Sequence, residues 1–138
     1  MNILNTIKGI LLSDAELKTH INSRIYYYKV TENAETSKPF VVITPVYDLP
    51  SDFMSDKYLS EEYLIQIDVE SSNNQKTIDI TKRIRYLLYQ QNLIQASSQL
   101  DAYFEETKRY VMSRRYQGIP KNIYYKKSAH RIGVLFNF

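Results

Sequence analysis

The chain has 138 residues, a formal net charge of +3 and no cysteine, which predicts one domain over residues 1–138 and excludes disulfides, thiolate metal sites and cysteine nucleophiles. No apolar run approaches the ~18 residues of a membrane-spanning helix. The first twelve residues lack the small-residue cleavage site of a secretory signal, so we expect none.

The charges are unevenly distributed along the chain. Residues 1–106 hold all 15 Asp and Glu against ten Lys and Arg, whereas residues 107–138 hold eight Lys and Arg and no acid. Such a split informs about partners rather than about the fold. The 13 tyrosines are compatible with either strands or interfaces, since tyrosine is enriched in both.

The N-terminal segment has the pattern of two helices. Apolar residues at helical spacing predict an amphipathic helix over residues 2–12. Ser13 and Glu16 have the spacing of a capping box. This predicts a second, short helix that has Ser13 as its N-cap and ends at about Ile21.

The next segment has the pattern of two strands and two loops. Residues 24–30 are rich in tyrosine and β-branched residues, which predicts a strand, and the polar residues 31–38 predict a loop. Residues 40–44 predict a strand that is apolar on both faces and therefore central in a sheet. Pro45 is acceptable only at a strand end or an edge. The polar segment 48–58 predicts a second loop.

The clearest strand covers residues 59–69, where apolar and polar side chains alternate and only Leu64 departs from the pattern. Ser72 and Gln75 have capping-box spacing. The apolar stripe that follows them predicts a helix over residues 73–91, the longest of the fold. The off-stripe basic residues Lys82, Arg83 and Arg85 are most simply a solvated face.

The last third of the chain has the pattern of three strands. Residues 100–106 and 108–116 are predicted as strands, 119–128 as a basic loop, and 131–138 as a final strand. The element order is α-α-β-β-β-α-β-β-β. It predicts an α+β fold with an antiparallel or mixed sheet, a long helix on one face and an N-terminal helical segment.

Groups that could support catalysis are few. His20 and His130 lack metal-ligand spacing, and the three glycines are too scattered for a phosphate loop. Asp68 and Glu70 share the polar face of a strand about 7 Å apart, compatible with a metal site, although a solvated strand face is the simpler interpretation. We therefore expect no enzyme, metal or cofactor. A hydrolase or toxin that uses Asp68, Glu70 and His130 is the least favoured alternative.

The basic C-terminal quarter is the strongest functional signal in the sequence. Basic residues interleaved with tyrosines are typical of single-stranded nucleic-acid binding, although no RNA-binding strand signature is present. The same composition is typical of a protein interface that faces carboxylates. A second copy offers such carboxylates, and a head-to-tail contact of this kind can close into a ring. The predicted interface residues are Lys108, Arg109, Tyr110, Arg114, Arg115 and Tyr116 on the basic side, and Asp48, Asp52, Phe53, Met54, Asp56, Glu61 and Glu62 on the acidic side.

An ordered set of short motifs covers nearly the whole chain. The motifs are LLSDAEL (11–17), SRIYY (23–27), PFVVITP (39–45), EYLIQIDV (62–69), EETKRY (105–110) and RRYQG (114–118). In this order they resemble the tail-terminator and head–tail joining proteins of long-tailed bacteriophages. The resemblance implies a structural protein without catalytic residues that forms a homo-oligomeric ring, a hexamer in the virion. It also implies that the ring caps the tail tube, contacts the tube protein and a neck or head-completion protein, and is assembled in the cytoplasm of the host bacterium.

Overall fold

The computed structural model describes residues 2–50 and 61–121. Over these ranges the chain forms three helices and five strands, in the α+β arrangement that the sequence predicts. The elements are α1 (Ile3–Leu12), α2 (Ala15–Ile21), β1 (Ile25–Tyr27), β2 (Phe40–Pro50), β3 (Glu61–Ser71), α3 (Asn74–Gln90), β4 (Ile94–Phe104) and β5 (Arg109–Gly118).

The five strands form one mixed sheet in the order β1-β2-β3-β5-β4. Short β1 pairs in parallel with β2, and every other neighbouring pair is antiparallel. The described part of the sheet therefore has β1 at one edge and β4 at the other. Because β1 pairs only with residues 41–43, the second half of β2 extends beyond it.

The alternation in β3 divides the sheet into two faces. Tyr63, Ile65, Ile67 and Val69 are buried, whereas the polar residues between them are partly exposed. The buried side chains form one hydrophobic core with the apolar stripes of all three helices, so the helices lie on a single face. The opposite face, which we call the open face, carries the polar residues of β3 and their neighbours on β5.

Both predicted helix starts are correct to within one residue, but their capping residues are not the predicted ones. Asp14, not Ser13, is the N-cap of α2, and its carboxylate accepts a hydrogen bond from the Leu17 amide. The Ser13 hydroxyl instead donates to the Ile10 carbonyl at the end of α1. Likewise Asn73, rather than Ser72, is the N-cap of α3. An Asp or Asn side chain in each pair outcompeted the serine beside it, in line with the strong N-cap preference of these residues.

The strand limits differ from the predicted ones, most clearly in β1, β2 and β4. Strand β1 is shorter than residues 24–30 because Tyr28 has a positive φ of 69° and turns the chain away. Strand β2 continues through Pro45 to Pro50, so residues 48–50 are strand rather than loop. Pro45 is tolerated because it lies beyond the end of β1, where β2 is an edge, and beside a register shift.

Strand β4 begins at Ile94, six residues before the predicted start of that strand, and ends at Phe104. Residues 94–99 lack regular alternation, and the structure contains register shifts between Gln95 and Ser97 and between Ser98 and Leu100. The two irregularities hide the period of two on which the prediction relied. The predicted final strand 131–138 and most of the 48–58 segment lie outside the described residues, and the one-domain prediction stays a prediction.

Arg83 is half-buried and is not part of a purely solvated face. Its guanidinium donates two hydrogen bonds, of 2.7 and 3.0 Å, to the carboxylate of Asp14, 69 residues away in sequence. This pair fastens α3 to the start of α2. Among the residues described, none of the helices is both long and apolar enough to cross a membrane.

Replacing Ile84 with Asp should unfold the described fold. Ile84 is fully buried on α3, and a carboxylate there has no partner, so we expect a loss of about 4 kcal/mol or more. Urea denaturation of Ile84→Asp and of the control Tyr89→Asp, an exposed position on the same helix, measures this. A wild-type midpoint for Ile84→Asp would show that α3 does not pack through this residue.

Replacing Asp14 with Asn should remove stability in a pH-dependent way. The hydrogen bond from Arg83 holds the pKa of Asp14 below its usual range. A lowered pKa stabilises the folded state fully above the unfolded pKa of about 4, and this contribution is lost as the pH falls through the folded pKa. Since Asn keeps the cap, we expect Asp14→Asn to lose about 1–2 kcal/mol at pH 7. The difference from wild type should shrink below pH ~4 in urea denaturation, and a difference independent of pH would contradict this origin.

Candidate assembly surfaces

The open face carries a ladder of polar contacts between β3 and β5. The Gln117 amide donates to Glu62 (2.6 Å), Arg115 Nε donates to Gln66 (3.0 Å), and Arg109 Nε donates to Glu70 (3.2 Å). Each of these three β5 side chains therefore meets an acceptor on β3 of the same chain. Three of the predicted interface residues, Arg109, Arg115 and Glu62, are therefore engaged within the chain.

Arg114 is largely enclosed within the domain. Its side chain lies on the helix-bearing face of β5 and is only 8% exposed. The guanidinium donates to both carboxylate oxygens of Asp101, at 2.7 and 3.2 Å, and to the carbonyls of Leu100 and Ser113. A charged pair so well supplied with hydrogen bonds stabilises the β4–β5 pairing.

Tyr116 was predicted at an interface, and the structure places it in the hydrophobic core instead. Its ring is 1% exposed, and burial raises the pKa of its phenol to about 12. Tyr110 and Tyr116 belong to the same alternating set of residues 108–116, so local periodicity could not separate the buried ring of Tyr116 from the half-buried ring of Tyr110. Tyr110 is half-buried and its ring lies 4.7 Å from that of Tyr103.

Three of the predicted acidic residues lie where β2 and β3 run together beyond β1. Asp48 is exposed on β2, Glu61 accepts a 2.6 Å hydrogen bond from the Tyr63 hydroxyl, and Glu62 is held by Gln117. The structure thus brings Asp48, Glu61 and Glu62 together at one end of the sheet. The other predicted acidic-side residues, Asp52, Phe53, Met54 and Asp56, lie outside the described residues.

A groove of about 760 Å³ lies beside the part of β2 that β1 leaves uncovered. One wall is the start of α1, and the others are largely tyrosine rings with carboxylates at the rim. Tyrosine-lined concave surfaces of this kind are typical of protein interfaces. The tyrosines and acids of the lining are Tyr27, Tyr28, Tyr47, Tyr63, Asp48 and Glu61.

The exposed apolar side chains are concentrated on two strands. Of the ten large hydrophobic residues that are exposed in the described part of the chain, seven lie on the second half of β2 or on β4. These are the strands whose outer backbone has no described neighbour over those lengths. The seven residues are Val46, Tyr47, Leu49, Ile94, Leu100, Tyr103 and Phe104.

The carboxylate pair that had suggested a metal site is otherwise engaged. Glu70 pairs with Arg109, and Asp68 accepts a hydrogen bond from the Gln66 amide. Within residues 2–50 and 61–121, no three His, Cys, Asp or Glu side chains group as metal ligands would. His130, the third member of that hypothesis, lies outside these ranges.

No protein-family model and no curated protein matches the chain. Among solved structures, the fold is similar to that of a chain in the virion of a native gene transfer agent particle, with a TM-score of 0.59. The match covers 86% of this chain and 93% of that chain at 10% sequence identity. At this identity the likeness shows a shared fold, and it extends over almost the whole of both chains.

Reversing the charge of Arg114 should destabilise the domain, whereas reversing that of Arg115 should have little effect. Arg114→Glu places a carboxylate beside Asp101 in a nearly buried site, for which we expect a loss of about 2 kcal/mol or more. Arg115 is half-buried, and its Nε donates to the neutral Gln66 rather than to a carboxylate of the described residues, so Arg115→Glu should cost less than about 1 kcal/mol. Urea denaturation of the two variants tests the contrast, and equal losses would contradict it.

Proposed function

We propose that this chain is a structural component of a phage-like virion, a ring-forming tail terminator or head–tail joining protein. The observation that carries the proposal is the extent of the fold match, since 86% of this chain aligns with 93% of a chain from a virion particle. Shared folds host unrelated functions, so the surfaces of this chain supply the further support.

The surfaces favour assembly over catalysis. A protein that joins identical copies needs two different patches, because a head-to-tail contact pairs one patch with the other. The described fold has two such patches at opposite edges of one sheet, the second half of β2 and the strand β4. Both are apolar and exposed.

The proposed partners follow from the role. A terminator or joining ring would contact the tail tube protein on one side and a neck or head-completion protein on the other. The ring itself would be a homo-oligomer, a hexamer in the virion, assembled in the bacterial cytoplasm. No cofactor is part of the proposal.

Nucleic-acid binding by the basic C-terminal quarter is the alternative. The contacts of the described residues in that quarter argue against it. Arg109 and Arg114 are paired with Glu70 and Asp101 of the same chain, so they are not free to neutralise phosphates. Tyr116 is buried and cannot stack on a base. Proteins that bind nucleic acid neutralise phosphates with unpaired Lys and Arg side chains. In this chain, basic residues other than Arg109 and Arg114 would have to supply most of them.

Light scattering of the wild-type protein across concentration and salt, combined with a nucleic-acid retention assay on the same sample, tests the proposal. We expect a closed oligomer of fixed mass, about six copies under ring symmetry, without retention of nucleic acid. The mass should stop increasing once the ring is complete, because a closed ring has no free patch.

A monomer that retains nucleic acid, with a steep dependence on salt, would overturn the structural proposal in favour of the alternative. An oligomer that grows without limit would instead argue for a filament and against a terminator. The two outcomes differ in mass distribution as well as in binding, so the same samples separate them.

A further inference from the structure

A turn at the end of β1 leaves the outer edge of the second half of β2 without a neighbouring strand among the described residues. Strand β1 stops at Tyr27, and Tyr28 adopts a φ of 69°, which is unusual for an aromatic residue. The chain then leaves the sheet, after a hydrogen bond that the Tyr28 amide donates to the Ile43 carbonyl of β2. Beyond that point, no described strand lies on this side of β2.

Two prolines limit the length of the exposed edge. Pro45 and Pro50 lack an amide hydrogen and cannot donate to an added strand. Between them lie Val46 to Leu49. Successive amides of a strand point to opposite sides, so part of these four amides faces β3 and the rest faces the uncovered side. Val46, Tyr47 and Leu49 are exposed apolar side chains. A strand added here can therefore bond over a short, defined segment.

The opposite edge of the sheet offers a segment of matching length. The two register shifts of β4 lie before Leu100, and from Leu100 to Phe104 the pairing with β5 is regular. The one charge in this segment, Asp101, is already paired with Arg114. Edge strands usually carry unpaired charges that prevent association, and this segment carries none.

The direction of the strands also fits a continuation of the sheet. β2 is antiparallel to β3, β3 to β5, and β5 to β4, so β4 runs opposite to β2. When the sheet continues in the same sense into the next copy, β4 of one copy and β2 of the next are antiparallel. This is the pairing that already dominates the sheet.

We propose that copies of this chain join edge to edge, with residues 102–104 of one copy pairing antiparallel with residues 47–49 of the next. This is addition of a strand to an exposed sheet edge. It rests on the proposed ring assembly and names the surfaces that form it. Since each copy contributes one edge to each neighbour, the joint repeats around the ring.

The faces and charges of the two segments select a single register. Asp48 and Asp101 both lie on the helix-bearing face, and side chains on the same face oppose one another across a pair. The register that sets Asp48 against Asp101 is disfavoured by like charge. The shift of two residues sets Asp48 against Tyr103, whose hydroxyl can donate to the carboxylate.

That register also joins apolar side chains on the open face. Tyr47 then lies opposite Phe104, and Leu49 lies opposite Ala102, because these four residues all point to the open face. Aromatic and aliphatic side chains that oppose one another in this way stabilise the pairing of two strands. The joint therefore buries side chains that a lone monomer leaves in water.

Cysteine cross-linking tests the joint directly, since the wild-type chain has no cysteine. Leu49→Cys and Ala102→Cys are made as two separate full-length variants, mixed, and oxidised mildly. We expect a disulfide-linked dimer that contains one copy of each variant, and little dimer from either variant alone. Directly opposed cross-strand positions lie within the Cα separation that a disulfide requires.

The matched control replaces Ala102→Cys with Tyr103→Cys, one residue along the same strand but on the other face. We expect its initial rate of cross-linking to Leu49→Cys to be at least about tenfold lower, because the Cβ atoms point apart. Equal rates for the two mixtures, or no cross-linking in either, would overturn the proposed pairing.

A second pair of variants tests whether the joint holds the oligomer together. Leu49→Lys combined with Phe104→Lys places an unpaired charge on each edge, which should abolish the oligomer seen by light scattering and leave the melting temperature nearly unchanged. The control is Tyr86→Lys with Tyr89→Lys, which alters two exposed tyrosines on α3 and should leave the oligomer intact. A wild-type oligomer in the edge variant would overturn the joint while leaving the proposed ring function standing.

The remaining candidate for the β4 edge is residues 122–138 of the same chain. Full-length Ala102→Cys combined with Val134→Cys, oxidised at low protein concentration, tests that occupant. An efficient disulfide within one chain would overturn the proposal, whereas slow or absent closure, together with the mixed dimer above, supports it.

Discussion

Burial of every second residue of β3 against α3 is the interaction on which the rest of the structure depends. Ile65, Ile67 and Val69 pack with the apolar stripe of α3 in one core. A slip of one residue in β3 would expose all of them, so the core fixes the register of β3 and, through it, of both neighbours. Because the described helices pack on one face of the sheet only, the opposite face carries none of them and forms the open face.

The same register pairs the charges of the sheet. It sets the basic side chains of β5 beside acceptors on β3 and β4, which gives the ion pairs Arg109–Glu70 and Arg114–Asp101. The difference in charge between residues 1–106 and residues 107–138 is therefore large along the sequence. It is smaller on the surface of the folded chain, because these pairs neutralise part of it. Two of the arginines that seemed available for partners stabilise the monomer, and the surfaces that remain for assembly are mainly neutral and apolar.

The two edges of the described sheet expose apolar side chains. Monomeric proteins protect sheet edges with charges, prolines or covering elements. Here Pro45 and Pro50 limit the β2 edge to a short segment, and β4 presents Leu100 and Phe104 without an unpaired charge. An edge that is both short and apolar fits the proposed joint between copies better than it fits association without limit.

The sequence by itself determined the α+β class, the long helix α3 and the inward face of β3, because these depend on local periodicity and one face of each element is buried. It could not determine the limits of β2 and β4, since a bulge or an edge proline interrupts the period of two in each. Only the tertiary structure decided that Tyr116 is buried, that Arg83 meets Asp14 across 69 residues, and that the apolar side chains gather at the two edges. Each of these depends on which helices and strands become neighbours, and that is set by the packing of the whole sheet against its helices rather than by any local pattern.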